Sequence, residues 1–290
     1  MPDSKTETAD MKLGFSSWGM PNVPVDHIIA SLAEMGYDGV ELTVKSGYSI
    51  ELDTLDEAYR KYVVRLLDMH NLELPALAGH ESLVEQDPDR AAECMRRLKG
   101  TVDLAVDWAR GGTPPCLDTT AGGSPDDWEP LRPLLEDRLG DLCGYAAERG
   151  VVIAIEPHVG TILDTPPRVV ELVDSIGLDN LGVNFDISHF NVVGIDIETS
   201  VSTLAPLSAH THVKDERGMA PDHEFLIPGE GEFDYVTYLK AMRRHGYTGF
   251  ISAEISVMVQ RREGYDAIAA AQQTYDVLDA AFKEAGIDRG

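Results

Sequence analysis

The chain reads as an α/β protein, a single (β/α)8 TIM barrel, on three observations. Short apolar runs alternate with amphipathic helical stretches eight times. No linker or shift of composition interrupts the alternation across the 290 residues. The first strand runs into SSWGMPN, without the GxGxxG phosphate loop that opens a doubly wound open sheet. Residues 1–11, largely the polar stretch MPDSKTETAD, read as a disordered tail, and 12–290 as the barrel domain.

Each unit has its own signal. KLGFSS (Lys12 to Ser17) is the first strand, and a helix follows from about Pro24 to Met35. DGVEL (Asp38 to Leu42) is the second, with a long amphipathic helix to His70. LELPALA (Leu72 to Ala78) is the third, followed by a helix from Pro88 to Ala109. The fourth strand is placed at Gly112 to Leu117, where Thr113-Pro114-Pro115 weakens it because proline donates nothing to the ladder. A helix over Asp127 to Arg149 leads to the strand Val151 to Glu156, and a helix over Pro166 to Ile176 to the strand Leu181 to Asp186. A short helix at Ile197 to Leu204 precedes the strand Ala209 to Val213. The last unit is a helix at Phe233 to His245, the strand Gly249 to Glu254, and a closing helix over Tyr265 to Ala285.

Composition narrows the partners. A formal charge of −26 argues against nucleic acid and against an anionic membrane surface, both of which draw on clustered Lys and Arg. Cys94, Cys116 and Cys143 form no CxxC pair and no disulfide framework, which fits a reducing compartment. The N-terminal stretch lacks the apolar core of a signal peptide, and no apolar run approaches a membrane span of roughly 20 residues. The expected setting is soluble and cytoplasmic. A homo-oligomer stays open, because no surface patch stands out.

Four residues close short apolar runs: Glu156 ends VVIAIE, Asp186 ends LGVNFD, His212 lies in AHTHV, and Glu254 ends GFISAE. In a barrel the active site lies where the strands end, and all four fall there. Three carboxylates and an imidazole at one level suggest a single divalent metal site. That donor set suits Mn²⁺, or Mg²⁺ or Co²⁺, better than a thiolate-seeking ion. Pro157 and His158 break the strand after Glu156, and a buried Glu254 needs a cation or a proton. His210 and His212 alternate on one strand and point the same way.

The stretches DGVEL, VVIAIEPH, NFDISHF, HTHVKD, PGEGEFDY and GFISAEI run in order through nearly the whole chain. In this order and spacing the chain resembles the xylose isomerase-like TIM-barrel superfamily, in its sugar isomerase/epimerase branch. The resemblance implies that Glu156, Asp186, His212 and Glu254 ligate the metal, and it selects His212 over His210. It implies that His189, in the Asp-x-x-His arrangement, contacts substrate beside the metal, and that Lys214 and Asp215 lie in the HxKD stretch through which members of the branch often contact substrate. Glu41 and His80 either bind substrate hydroxyls or support the ligands from behind. Trp18 either walls a sugar ring or packs at the rim. Arg217 either meets substrate oxygens or is a solvated loop residue.

The branch borders on endonuclease IV-type repair enzymes, whose three-zinc cluster needs further histidines. Asp222-His223 is one residue off the Asp-x-His pair required there, and no histidine lies near Cys116. With the acidic charge, this argues against DNA repair.

The expected reaction is a proton transfer beside the carbonyl of a ketose or keto-sugar, through a metal-stabilised enediolate, with Glu156 and Glu254 as the acid/base pair. Return of the proton to the same carbon epimerises, and return to the neighbouring carbon isomerises. Expulsion of a β-substituent would make the enzyme a lyase or dehydratase on a keto-sugar, inosose or 3-keto-glycoside. A non-catalytic sugar-binding subunit ranks last, since no ligand is missing. A phosphorylated substrate is disfavoured by the lack of a basic cluster, with only Lys45, Lys214 and Arg217 to serve one.

Overall fold

A computed structural model of the chain describes residues 11–289. Of the 1–11 tail only Met11 lies within that range, and its side chain is buried in the core; residues 1–10 lie outside the described residues.

The strands are β1 (Lys12–Ser16), β2 (Gly39–Thr43), β3 (Ala76–Ala78), β4 (Cys116–Thr120), β5 (Ile153–Glu156), β6 (Leu181–Asp186), β7 (Ser208–Val213), β8 (Asp215–Arg217), β9 (Glu224–Leu226) and β10 (Phe250–Ala253). Eight of them close a parallel barrel in the order β1-β10-β7-β6-β5-β4-β3-β2. β8 and β9 form an antiparallel hairpin in the loop after β7. The helices are α1 (Val25–Met35), α2 (Glu57–His70), α3 (Pro88–Asp107), α4 (Trp128–Ala147), α5 (Pro166–Ile176), α6 (Ile187–Asn191), α7 (Ile197–Leu204), α8 (Tyr235–Arg244), α9 (Val257–Gln260) and α10 (Ala267–Ala285). This is a single (β/α)8 barrel, as the alternation predicts.

Local chemistry fixes the helix ends. Asp56, Asp87, Asp196, Asp234 and Asp266 cap the N-termini of α2, α3, α7, α8 and α10, each accepting a backbone N–H of the first turn. Each carboxylate also meets the positive end of its helix dipole, so part of the acidic charge is structural.

The core lies between strands and helices. Leu13, Phe15, Val40, Leu117, Ile153, Ile155, Val183, Phe185 and Ile251 belong to one continuous buried cluster. The barrel lumen is different. Ala76, Cys116 and Ala154 form a small separate cluster, and the polar side chains stand beyond them towards the strand ends. At the opposite end Phe250 fills the lumen so closely that a Cβ on Gly39 would lie 2.4 Å from its ring.

Three differences from the sequence reading matter for the site. β4 begins at Cys116 and runs to Thr120, because Pro114 and Pro115 push the ladder past the expected Gly112 to Leu117. The shift brings Asp118 into the barrel. β3 is confined to Ala76–Ala78 behind Pro75, shorter than Leu72 to Ala78. The hairpin β8–β9 and the short helix α9, neither of them expected, add walls over the strand ends, and Asp186 caps the short helix α6.

Candidate metal centre

Strand register gathers the four strand-end residues. Asp186 of β6 stands opposite His212 of β7, which stands opposite Ser252 of β10. Glu254 extends that ladder by one step, its N–H donating to Val213 at 3.0 Å. One ligand atom from each of Glu156, Asp186, His212 and Glu254 lies within 4.8 Å of the others, and all four residues are buried.

His212 is held from both sides. Its Nδ1 lies 3.2 Å from Glu156 Oε1 and 3.7 Å from Glu254, facing the cluster. Its Nε2 lies 2.9 Å from Glu41 Oε2 on the far side. An imidazole that donates Nε2–H to a carboxylate presents its Nδ1 lone pair to a cation, the usual way a second carboxylate orients a metal-binding histidine. Asp186 divides its oxygens. Oδ1 caps α6 by accepting the N–H of Ser188 at 3.0 Å, while Oδ2 faces the Lys214 ammonium at 2.8 Å and His189 at 3.3 Å. Lys214 also bonds Glu254, so its ammonium spans two of the four residues.

The electrostatics are those of a cation site. Five carboxyl side chains, Glu41, Asp118, Glu156, Asp186 and Glu254, are buried together, and Lys214 is the one buried lysine or arginine among the described residues. Burial opposes ionisation of Glu156, yet the His212 hydrogen bond and the positive charges of His212, His80 and Lys214 hold it down at about 2. Burial likewise opposes charge on His212, but Glu41, Glu254 and Glu156 drive it well above its ordinary value. Burial and the Glu156 charge push Asp118 well above the usual carboxylate range. Three oxygen residues, one imidazole and an excess of buried negative charge fit a divalent ion held by Glu156, Asp186, His212 and Glu254.

A cavity of about 530 Å³ opens above this cluster. Of the four candidate ligands it reaches Glu156 and Glu254, and it also touches Lys214, His80 and Trp18. Asp186 and His212 lie beneath, fully buried.

Comparison with known proteins bears on the family and the fold. The family model of the xylose isomerase-like TIM barrel matches residues 29–280. The chain belongs to that family. Within it, the chain is 21% identical over 262 residues to fructoselysine 3-epimerase of Shigella flexneri, covering 86% of this chain and 91% of the epimerase. It is 31% identical over 144 residues to inosose dehydratase of Lacticaseibacillus casei, covering 44% of this chain and 47% of the dehydratase. Among solved structures, the IolI protein with a bound zinc atom superposes with a TM-score of 0.77 at 22% identity, over 94% of this chain and 99% of IolI. That likeness concerns the fold.

The structure sorts the remaining sequence candidates. Trp18, His80 and Lys214 line the cavity. Glu41 does not reach it. Glu41 is fully buried beneath His212, bonded to Ser16, His212 and, at 3.1 Å, His210. His189 is also buried, packed against Asp186 and against the ring of His158 at 3.7 Å, and it is His158 that faces the cavity. Arg217 turns away and donates to the Glu230 carbonyl at 2.5 Å. Asp215 of the HxKD stretch is spent on the backbone, accepting N–H bonds from Gly229, Gly231 and Phe233 at 2.8, 3.0 and 3.1 Å. A Cβ on Gly231 would lie 2.3 Å from that carboxylate, so PGEGEF is a clamped loop that requires its glycine.

Sequence reasoning missed Asp118, Asn184, Phe225 and Met258. Asp118 was hidden by the misplaced β4; in CLDTT, period-two alternation with Cys116 puts it inside the barrel. Asn184, two residues before Asp186, sets its Nδ2 3.1 Å from His212 Nδ1, and the same alternation would have found it. Phe225 and Met258 lie on the hairpin and on α9, whose folds carry no strong periodic signal.

Proposed function

We propose that the protein is a divalent-metal-dependent isomerase or epimerase of a ketose or keto-sugar, with Glu156 and Glu254 moving the protons. One observation carries this reading: of the four candidate ligands, those two glutamates reach the cavity, and they come from strands separated by β6 and β7. Substrate bound between them meets a carboxylate on each side.

A divalent ion held by the four residues, Mn²⁺, Mg²⁺, Co²⁺ or Zn²⁺, supplies a Lewis acid for the carbonyl and its neighbouring hydroxyl. Glu156, ionised well below neutral pH, takes the proton from the carbon beside the carbonyl. The C–H electron pair becomes a C=C bond, and the carbonyl π pair moves to oxygen. Lys214, cationic throughout because Asp186 and Glu254 raise its pKa far enough to outweigh burial, donates to the oxygen that gains charge. A solvent proton relayed through Glu254 returns from the other side, which inverts the carbon, and Glu156 releases its proton to solvent. Delivery to the adjacent carbon gives an aldose–ketose exchange. Glu41 keeps the His212 ring in the tautomer and orientation that the site requires. The epimerase among its relatives supports this reading.

A second outcome uses the same parts. If the substrate carries a leaving group β to the carbonyl, the same enolate expels it, and the enzyme is a dehydratase or lyase. The match to an inosose dehydratase favours keeping it. Both are tested by incubating metal-loaded protein in D₂O with free ketoses, an inosose and a 3-keto-glucoside, followed by NMR. Deuterium beside the carbonyl of recovered sugar or its epimer supports the isomerase, and release of water or aglycone the lyase. No exchange in any of them would overturn the enolisation common to both.

A further inference from the structure

The cavity is larger and less polar than a free sugar requires. Its 530 Å³ falls in the range of roughly 300–1,000 Å³ that encloses a drug-sized ligand, of which a hexose fills only part. Its two ends differ in chemistry. The inner end presents Glu156, Glu254, Lys214 and His80, which suit hydroxyls and a carbonyl. The outer end presents Trp18, Phe225, Val257 and Met258, beside the Arg261 guanidinium, and no carboxylate lines it.

That outer wall is built and held. Trp18 stacks on Tyr48 at 5.3 Å, meets His80 edge-on at 4.9 Å, and its carbonyl accepts from Gln260 at 2.9 Å. Phe225 is buried among His189, His223 and Lys214. The Met258 sulfur accepts the Phe225 N–H at 3.5 Å, which ties α9 to the hairpin. Met258 nevertheless remains 48% exposed. A thioether beside an indole and a phenyl ring is an adaptable surface for a flat or extended apolar group.

We infer that the substrate is a two-part molecule, a keto-sugar ring carrying an apolar aglycone, with the ring at the glutamates and the aglycone against Trp18, Phe225, Val257 and Met258. This rests on the reading of the inner end given above. It narrows the substrate class to glycosides with an aryl or alkyl group and sets free ketoses aside.

The test is an equilibrium one, independent of turnover. Binding of phenyl β-D-glucopyranoside, methyl β-D-glucopyranoside and glucose 6-phosphate to the metal-loaded full chain is measured by calorimetry, with saturation-transfer NMR to map the contact. The phenyl glycoside binds at least about tenfold more tightly than the methyl glycoside, and its aromatic protons receive the strongest saturation. Met258→Asp cuts that preference below about threefold while Met258→Leu keeps it, both with an unchanged circular dichroism spectrum. Equal affinities, a preference for the phosphate, or no binding of any probe would overturn the inference. A phenyl preference without deuterium exchange would retain the subsite and sink the proton-transfer reading instead.

Discussion

The two halves of the barrel treat their buried polar residues differently. The half built from β5, β6, β7 and β10 supplies all four candidate ligands, each at or just past a strand end. The half built from β1 to β4 supplies Ser16, Glu41 and Asp118, together with His80 just beyond β3, and these turn towards the ligands. Glu41 reaches His212, and His80 stands between Asp118 at 3.6 Å and Glu156 at 3.8 Å. One half supplies the candidate ligands, and the other packs against them. Burial in the barrel therefore does not by itself put a carboxylate within reach of substrate; what separates Glu156 from Glu41 is access to the cavity.

Substitutions on the two halves should separate accordingly. Glu156→Gln and Glu254→Gln should each lower turnover by about 10²–10⁴-fold with little change in the thermal midpoint, whereas full activity in either would remove its proton-transfer role. Lys214→Met should leave Asp186 and Glu254 uncompensated in the metal-free protein. Its urea unfolding free energy should fall by about 3–5 kcal/mol, and saturating divalent metal should restore most of it. A stable metal-free variant would contradict the picture of a cation-dependent cluster.

Glu216, on the hairpin, is pushed up by burial from 4.5 to about 8. The folded protein then holds a proton that the unfolded chain releases above its usual carboxylate pKa. This contribution is fully present below about pH 4.5 and is lost as pH rises towards 8. It should give a slope on the order of 1 kcal/mol per pH unit, which Glu216→Gln should flatten. A wild-type slope surviving in the variant would assign it elsewhere. The gentlest test of the supporting half is Glu41→Gln, which should weaken metal binding by about 10–100-fold without touching the cavity. Unchanged affinity by calorimetry would make Glu41 a packing residue only.

The same contrast explains what the sequence made legible. VVIAIE and LGVNFD end in a charge after an unbroken apolar run, so strand, register and site all show at once. The alternation of His210 and His212 put both on one face of their strand, and His210 meets Glu41 through its Nε2. Asp118 was obscured because two prolines displaced the start of β4. Glu41 and Arg217 could not be assigned from position alone, since whether a side chain turns to the cavity, to a neighbour or to a backbone carbonyl is decided by tertiary packing. The cavity wall was the least legible part. It is made by a three-residue-stranded hairpin and a four-residue helix, too short for periodicity to register.

The most direct test is anomalous diffraction from crystals of the protein grown with Mn²⁺. The four-residue centre predicts one strong peak within about 2.0–2.4 Å of a carboxylate oxygen from each of Glu156, Asp186 and Glu254 and of His212 Nδ1. A peak seated instead among His80, Asp118 and Glu156, or among Glu41, His210 and His212, would contradict it, as would no peak in the barrel at all.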